Sequence, residues 1–270
     1  MLFRIVVLMQ LISFILCNNQ FIIESKENDN TFIRFNIGEF DIINEEGKQK
    51  INSSSLGKTK DVGLPELPTY SFNFSIKSNK NYNVDFVVEN YELYENIDLQ
   101  PSQPFHKVGE DKVFIKNNNF YNSNVAYPEN NLSQKIMSLR GYELLNVEFT
   151  PFEYNPLTKD LKIYTDVEIV VNESGYRENH SDTPRSEMFE NMYKSRILNS
   201  DDYQDSRSFQ KPSILYICGG NLSSSSYMQD LADWRHKQGY VVNVVSLSEA
   251  GTSTTDIKNY IKNAYDNWEN

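Results

Sequence analysis

Cysteine and histidine, which build disulfide scaffolds and zinc sites, are scarce in this 270-residue sequence, with two of the first and three of the second. This scarcity excludes a disulfide-built fold and a cysteine-rich zinc module. Basic residues are also in deficit, since 26 Lys and Arg stand against 37 Asp and Glu and leave a net charge of −11. That balance argues against nucleic acid as the main partner, because phosphate binding needs clustered positive charge. Apolar residues make up 39 % of the chain, which argues against wholesale disorder.

One long apolar run occurs, and it lies at the N-terminus. Arg4 precedes the twelve residues Ile5–Leu16, and polar residues follow at once. A membrane-spanning helix needs about 20 apolar residues, so the run predicts a cleaved secretory signal over residues 1–17. Lipid attachment at Cys17 and an uncleaved anchor are the alternatives. We therefore expect a secreted, extracellular protein with no membrane contact beyond export, and leave cell-surface association open.

Residues 18–172 show the period-two alternation of β-strands. In Tyr70–Ile76, aromatic and aliphatic residues alternate with serine and asparagine, and Leu161–Val171 repeats the pattern. Turn-forming segments such as Gly63–Pro65 separate these runs. Several strands without a strong helical pattern between them predict a β-rich domain, an antiparallel sandwich-like or barrel-like fold.

Two further segments follow this domain. Residues 173–212 are polar and weakly periodic apart from a short predicted helix at Glu187–Leu198, and they predict a linker. In residues 213–270 the apolar strands Ile214–Ile217 and Val241–Val245 alternate with two amphipathic helices. This order predicts the first βαβα of an α/β parallel-sheet domain. Because so small a sheet leaves apolar faces without partners, we expect further chain or another molecule to supply the rest.

The two predicted helices of this last segment carry boundary signals. Serines at Ser223–Ser226 offer a hydroxyl cap for the first helix, and Gly239 falls where that helix would end. Thr254 or Thr255 is the predicted cap of the second helix.

Several short motifs follow one another along the chain after residue 60. The motifs are Gly63–Pro68 with the strand Tyr70–Ile76, Arg140-Gly141-Tyr142, Pro151–Pro156, Leu161–Tyr164, Phe189–Asn199, Leu231–Tyr240 and Ile257–Ile261. The first four resemble the propeptide of gingipain-type peptidases, the fifth resembles the stretch joining propeptide to enzyme, and the last two resemble the opening βαβα of the caspase-like peptidase domain. Their common order makes the resemblance specific, although each motif is short.

This resemblance implies a secreted cysteine endopeptidase made as an inactive precursor, whose β-rich prosegment covers the active site until cleavage. Its implied partners are its own catalytic domain and, for the full-length enzyme, protein substrates. In this family a His base and a Cys nucleophile lie at the ends of later strands, which fall beyond Asn270. We therefore assign no catalytic, cofactor-binding or metal-binding residue to this chain and expect it to be inert alone. Calcium is left open for the full-length protein.

Several residues invite a functional interpretation that their context disfavours. Cys218 follows an apolar run, which is typical of a buried structural thiol. His236 lies between basic residues on a predicted helix, which favours solvent exposure. Gly219-Gly220 lacks the lysine of a phosphate-binding loop. His106 and His180 lack a second ligand at zinc spacing, and Asp201, Asp202 and Asp205 lack the spacing of a calcium loop.

Basic residues are spread along the predicted linker. A processing protease with basic specificity could cut such a segment, so we expect removal of the prosegment between Arg177 and Lys211, with Arg207 as the arginine nearest the first catalytic strand. Ordinary linker charges are the alternative. A long cleavable segment favours a precursor over an exported non-enzymatic β-sandwich binding module or a free-standing peptidase inhibitor. The basic residues are Arg177, Arg185, Lys194, Arg196, Arg207 and Lys211.

Overall fold

The chain forms two compact units. The computed structural model describes residues 20–45, 47–55, 57–105, 107, 109, 113–139, 142–178, 185–200 and 209–268. The first unit, here the sandwich unit, comprises residues 1–139, 143–181 and 195–203; the second, the α/β unit, comprises 140–142, 182–194 and 204–270. The predicted signal segment 1–17 lies outside the described residues. Within them, no helix is long and apolar enough to cross a membrane.

A five-stranded antiparallel sheet forms one layer of the sandwich unit. Its central strand is β11, which pairs with β7 along one edge and with β2 and β10 along the other, while β1 extends the sheet from β2. The strands are β1 (Phe21–Glu27), β2 (Asn30–Asn36), β7 (Lys80–Tyr94), β10 (Phe152–Asn155) and β11 (Asp160–Tyr176).

The second layer is a four-stranded sheet in the order β5-β6-β9-β8. Its strands are β5 (Gly57–Lys58), β6 (Pro68–Ser75), β8 (Leu132–Leu139) and β9 (Tyr142–Phe149). A separate hairpin joins β3 (Phe40–Glu45) to β4 (Lys48–Ser53), and a single turn of helix, α1 (Asn118–Tyr121), lies before β8.

Aromatic side chains fill the space between the two sheets. Phe35 of β2 lies with its ring centroid 5.2 Å from that of Phe149 on β9 and 5.2 Å from that of Tyr70 on β6. Phe21 of β1 reaches Phe72 of β6 at 4.8 Å. Phe35 and Phe149 are fully buried, and edge-on ring pairs add to the burial energy. The predicted antiparallel sandwich is confirmed.

The alternation read from the sequence coincides with the interior face of these strands. In β6, Tyr70, Phe72 and Phe74 are buried while Ser71 is exposed. In β11 the buried positions are the predicted ones except at Thr165, where the register shifts and Tyr164 is buried instead. β11 continues through Tyr176, into the segment assigned to the linker, because its last residues pair with the start of β7.

The α/β unit is built on β14 (Ser213–Cys218) and β15 (Val241–Ser246), which pair in parallel. Between them lies α3 (Ser226–Lys237), preceded by a 3₁₀ turn at Leu222–Ser224, and β15 is followed by α4 (Leu247–Ala250) and α5 (Thr254–Asn267). The predicted βαβα is confirmed. Trp234 and Tyr265 on its helices are 52 % and 67 % exposed, so part of the apolar surface is uncovered, as expected for a two-stranded sheet.

Helix capping in this unit follows the predicted residue type, with one correction. Ser225 accepts a hydrogen bond from the Met228 N–H at the start of α3, and Gly239 takes a left-handed conformation just past its end. The cap of α5 is Ser253 rather than Thr254 or Thr255. Its hydroxyl accepts from the Asp256 N–H at 3.1 Å, while the Asp256 carboxylate returns to the Ser253 N–H and completes a capping box.

The helix predicted inside the linker is shorter than expected. It is α2 (Glu187–Lys194), which belongs to the α/β unit together with the parallel pair β12 (Arg185–Ser186) and β13 (Phe209–Gln210). Tyr193 is buried and its ring lies 5.0 Å from that of Tyr142, whose hydroxyl donates to the Glu190 carboxylate. Met192, the residue before Tyr193, is 51 % exposed.

We predict that Phe149→Ala destabilises the sandwich unit by about 3–5 kcal/mol, because it removes a buried ring that contacts both sheets. The measurement is urea unfolding followed by far-UV circular dichroism. Both tryptophans lie in the α/β unit, so their fluorescence follows that unit separately and should not change. Leu157→Ala, at a turn residue 58 % exposed, is the control and should cost less than about 0.5 kcal/mol. Equal losses for both variants would contradict a core between the sheets.

Candidate functional site

The predicted cleavage of the prosegment lies in the linker, and the structure describes how both ends of the linker are held. Each end contacts the region around the turn between β6 and β7 in the sandwich unit. Ile197–Asn199, here named the strap, lies along β6. Arg177, which follows the last residue of β11, lies against the turn itself.

The strap is bonded to β6 in the manner of an added strand. Its backbone forms a parallel bridge at Ile197, opposite Asn73, and the Leu198 N–H donates to the Asn73 carbonyl at 2.8 Å. Asn199 continues the pairing with its side chain. Its Oδ1 accepts from the Ser75 N–H at 2.7 Å and its Nδ2 donates to the Ser75 carbonyl at 3.0 Å. One amide side chain thus satisfies both backbone groups of Ser75.

Burial makes the Asn199 contact expensive to lose. Asn199 is 8 % exposed and Ser75 is 6 % exposed. A buried backbone group left without a partner costs about 1–3 kcal/mol, and removal of Asn199 would leave two. Ile197, 6 % exposed, adds an apolar anchor to the strap.

Arg177 holds the other end of the linker. Its backbone N–H donates to the Asn79 carbonyl at 3.0 Å, and its guanidinium donates to the Ser78 carbonyl at 2.8 Å. The same guanidinium forms an ion pair with the Glu143 carboxylate, of which 8 % is exposed. A buried ion pair of this kind is costly to break by removal of one partner. Arg177 is therefore a structural residue of the sandwich unit, which argues against it as a cleavage site.

Glu173 adds a second charged contact at the same turn. Its carboxylate lies 2.7 Å from Lys77 Nζ and 3.1 Å from Lys80 Nζ, and it accepts from the Tyr82 hydroxyl. Burial raises the pKa of Glu173, but the hydrogen bonds from Lys77 and Lys80 outweigh it and lower its pKa overall. Burial also raises the pKa of Tyr82 to about 12, so Tyr82 stays a neutral donor at ordinary pH.

A polar groove of about 620 Å³ opens beside the strap in the sandwich unit. Its lining includes Ser71 of β6 and Arg196, both of which are exposed. Its lining holds backbone groups and hydroxyls rather than a Cys or His. Among the described residues, no cluster of three or more His, Cys, Asp or Glu could hold a metal ion. Beside this groove, the backbone of β6 binds one segment of the chain, the strap, through hydrogen bonds.

The residues singled out in the α/β unit occupy structural positions. Cys218 ends β14 and is 7 % exposed. His236 lies in the last turn of α3, exposed, with Nδ1 3.1 Å from the Tyr240 carbonyl oxygen. Gly220 takes a left-handed conformation with φ of 56° in the turn after β14. Cys17, His106, His180, Asp201, Asp202 and Asp205 lie outside the described residues.

The basic residues of the linker differ in their surroundings. Lys194 pairs with Glu190 one helical turn earlier, at 3.2 Å. Arg196 is exposed in a turn just before the strap, and Lys211 is exposed just before β14. Arg207 and the Arg185 side chain lie outside the described residues.

No sequence pattern indicated the role of Asn199. This residue ends the stretch that resembles the join between propeptide and enzyme, yet nothing in an asparagine-rich sequence distinguishes it. Its pairing with Ser75 joins residues 124 positions apart. Local patterns do not carry contacts at such a separation.

Two family models divide the chain at a single residue. The model of the C25 propeptide, Propeptide_C25, matches residues 19–207, and the model of peptidase family C25 matches residues 207–270. The chain belongs to the C25 propeptide family. It carries a gingipain-type propeptide followed by the start of a C25 peptidase domain, as the resemblance implied.

Curated relatives of this C25 propeptide chain come from Porphyromonas gingivalis. Gingipain R1 is 22 % identical over 258 residues, which is 91 % of this chain. Gingipain R2 is 23 % identical over 76 % of the chain, and Lys-gingipain is 25 % identical over 77 %. The chain spans 26 %, 29 % and 13 % of the lengths of these three proteins.

Solved structures share the fold of the C25 propeptide. A chain from the complex of Porphyromonas gingivalis RgpB pro- and mature domains matches with a TM-score of 0.59 and 22 % identity, covering 69 % of this chain and 99 % of that one. A structure on the zymogenic latency of gingipain K from the same organism matches with a TM-score of 0.50 and 16 % identity, covering 60 % of this chain and 96 % of that one. At these identities the matches establish the fold.

We predict that Asn199→Ala destabilises the propeptide fold by about 2–4 kcal/mol, because both backbone groups of buried Ser75 lose their partner. Urea unfolding followed by far-UV circular dichroism measures the loss. The matched control is Asn146→Ala, which removes a hydrogen bond between two half-buried side chains, from Asn146 Nδ2 to Asn73 Oδ1 at 3.1 Å. That variant should cost about 1 kcal/mol or less. A loss at Asn199 no larger than at Asn146 would refute the double pairing.

Glu173 makes the stability of the propeptide fold depend on pH. Because its pKa is lowered in the folded state, its contribution is present above the unfolded pKa of about 4.5 and is lost as pH falls through the lower folded value. We predict that Glu173→Gln flattens the fall in unfolding free energy below pH 5 and leaves the remaining slope near neutral pH unchanged. Urea midpoints from pH 3 to 7 measure this. A wild-type slope retained in the variant would contradict the assignment.

Proposed function

We propose that this chain is the front part of a secreted cysteine endopeptidase made as a zymogen. The sandwich unit acts as the inhibitory prosegment, and the α/β unit begins the catalytic domain. The observation that carries the proposal is the meeting of the two family models, propeptide then peptidase, at residue 207. The catalytic His and Cys are expected on later strands of the catalytic domain. The residues described here therefore support folding and latency rather than chemistry.

The proposed partner of the prosegment is its own catalytic domain. Two observations support this: the fold matches a chain from a complex of pro- and mature domains, and it also matches a structure concerned with zymogenic latency. The backbone of β6 already pairs with an added segment, the strap, and the same kind of pairing suits binding to another polypeptide. Protein substrates, and calcium in the full-length enzyme, belong to the same proposal.

Secretion follows from the N-terminal apolar run, residues 5–16, with cleavage after Cys17. The named relatives are gingipains, and an extracellular peptidase needs latency during export. Inhibition by a covalently attached prosegment provides it.

The proposed activating cut follows Arg207. This residue lies at the junction of the two family matches, and only Lys211 among the basic linker residues lies closer to β14. Arg177 is held by Glu143 and the Ser78 carbonyl. A protease must extract a residue from such contacts before it can cut there.

We predict that Arg207→Gln slows maturation of the complete gene product at least tenfold, because the basic residue before the scissile bond is lost. Mass spectrometry and N-terminal sequencing follow the cut, with peptide hydrolysis measured in parallel. The wild type should give a mature chain beginning at residue 208, and hydrolysis should disappear after thiol alkylation. Arg196→Gln is the control and should mature at the wild-type rate.

Two outcomes would overturn the proposal. A wild-type mature chain that starts before Ile197 would refute the cut at Arg207. A fully processed protein without thiol-dependent hydrolysis would refute the endopeptidase and favour a binding module or a free-standing inhibitor.

A further inference from the structure

The linker leaves the sandwich unit and returns to it at nearly the same place. Arg177 bonds to Ser78 and Asn79, and the strap, Ile197–Asn199, bonds to Asn73 and Ser75. These anchor points lie within seven consecutive residues around the β6–β7 turn. Both sets of contacts lie inside the sandwich unit.

Apart from Arg177, which is held by Glu143 and the Ser78 carbonyl, the basic linker residues fall into two groups by their position relative to the strap. Arg185, Lys194 and Arg196 precede the strap, whereas Arg207 and Lys211 follow it. The two groups differ in which product keeps the strap. A cut before the strap leaves it at the N-terminus of the downstream chain, but a cut after it leaves the strap covalently on the prosegment.

The contacts of the strap do not depend on the covalent chain before it. The Leu198 N–H, the Asn199 side chain and the buried Ile197 are all bonded to or packed on groups of the sandwich unit. The strap is already bound to β6 when the chain is cut, so these contacts must break before the two products can separate. The groups it satisfies on Ser75 are buried and would be orphaned by its departure.

We propose that the strap retains the downstream chain on the prosegment after any cut that precedes Ile197, so that only cuts beyond Asn199 free the peptidase start from this anchor. The position of a cut relative to Asn199, rather than the basic residue alone, then decides whether processing is productive. The proposal rests on the proposed prosegment function, and Asn199 is its anchoring residue.

The test compares two variants of the complete gene product. In the upstream-only variant, Arg207→Gln with Lys211→Gln, limited trypsin can cut the linker only before the strap. In the downstream-only variant, Arg185→Gln with Lys194→Gln and Arg196→Gln, the one basic residue left before the strap is Arg177, whose side chain is held by Glu143 and Ser78. Trypsin is therefore expected to cut the linker after the strap. The measurement is the rate at which the two products separate under native conditions, followed by size-exclusion chromatography of fluorescently labelled chains.

We expect the cut upstream-only protein to separate at least tenfold more slowly than the cut downstream-only protein. Adding Asn199→Ala to the upstream-only variant should remove this difference, because the anchor is lost. The same substitution in the downstream-only variant should change nothing, because the strap there stays with the prosegment. Asn146→Ala is the matched control and should leave both rates unchanged.

Equal separation rates for the two cuts would overturn the proposal. So would a separation rate of the cut upstream-only protein that is unchanged by Asn199→Ala. If Asn199→Ala fails to fold before cutting, Asn199→Asp replaces it, since it keeps the acceptor for the Ser75 N–H and loses the donor to the Ser75 carbonyl. Hydrogen exchange at Ser75 and Leu198 in the cut upstream-only protein gives a second reading, and protection should persist there. Neither measurement requires peptidase activity, so failure of the strap and failure of the endopeptidase proposal are distinguishable.

Discussion

The packing of Phe35 against Phe149 holds the two sheets of the sandwich unit together, and the rest of that unit depends on it. Each sheet alone would expose one apolar face to water, and neither could stand as an independent fold. Because β9 pairs with β6 and β2 pairs with β11, the contact between these two rings joins the centre of one sheet to the centre of the other. The turn between β6 and β7 is thereby placed where both ends of the linker can bond to it.

Much of the segment predicted as a linker, residues 173–212, belongs to one or other of the two units. Its first residues complete β11, its middle contributes α2 and β12 to the α/β unit, and its later residues supply the strap of the sandwich unit. A segment that is polar and weakly periodic in sequence can still be ordered when buried backbone groups of a neighbouring strand need partners. The side chain of Asn199 serves as a substitute for strand backbone, which explains how order arises without strand-like alternation.

The sequence alone predicted the two architectures because their signals are local. Alternation along Tyr70–Ile76 and helical spacing along α5 each lie within one element. The Ser253 cap was missed because the helix begins one residue earlier than the threonines suggested. Asp256, three residues after Ser253, completes the capping box. The resemblance to the family also came from short motifs, and the family models agree with it.

The strap and the Arg177 contacts could not be predicted in this way. Asn199 meets Ser75 across 124 positions, and Arg177 meets Ser78 across 99. Which asparagine or arginine finds a buried partner is decided only when the sheets have packed. The polar character of the segment was read correctly, but its anchoring is a property of the tertiary fold.

The central position of β11 has a consequence for the order of events during synthesis. Its pairing with β2 joins Asp166 to Asn36, so the middle of the larger sheet stays open until the ribosome has made nearly the whole sandwich unit. Closing so long a loop is slow compared with forming local hairpins. The strap and the first peptidase strand are translated immediately afterwards. The propeptide therefore completes its larger sheet just as the start of the peptidase domain begins to emerge.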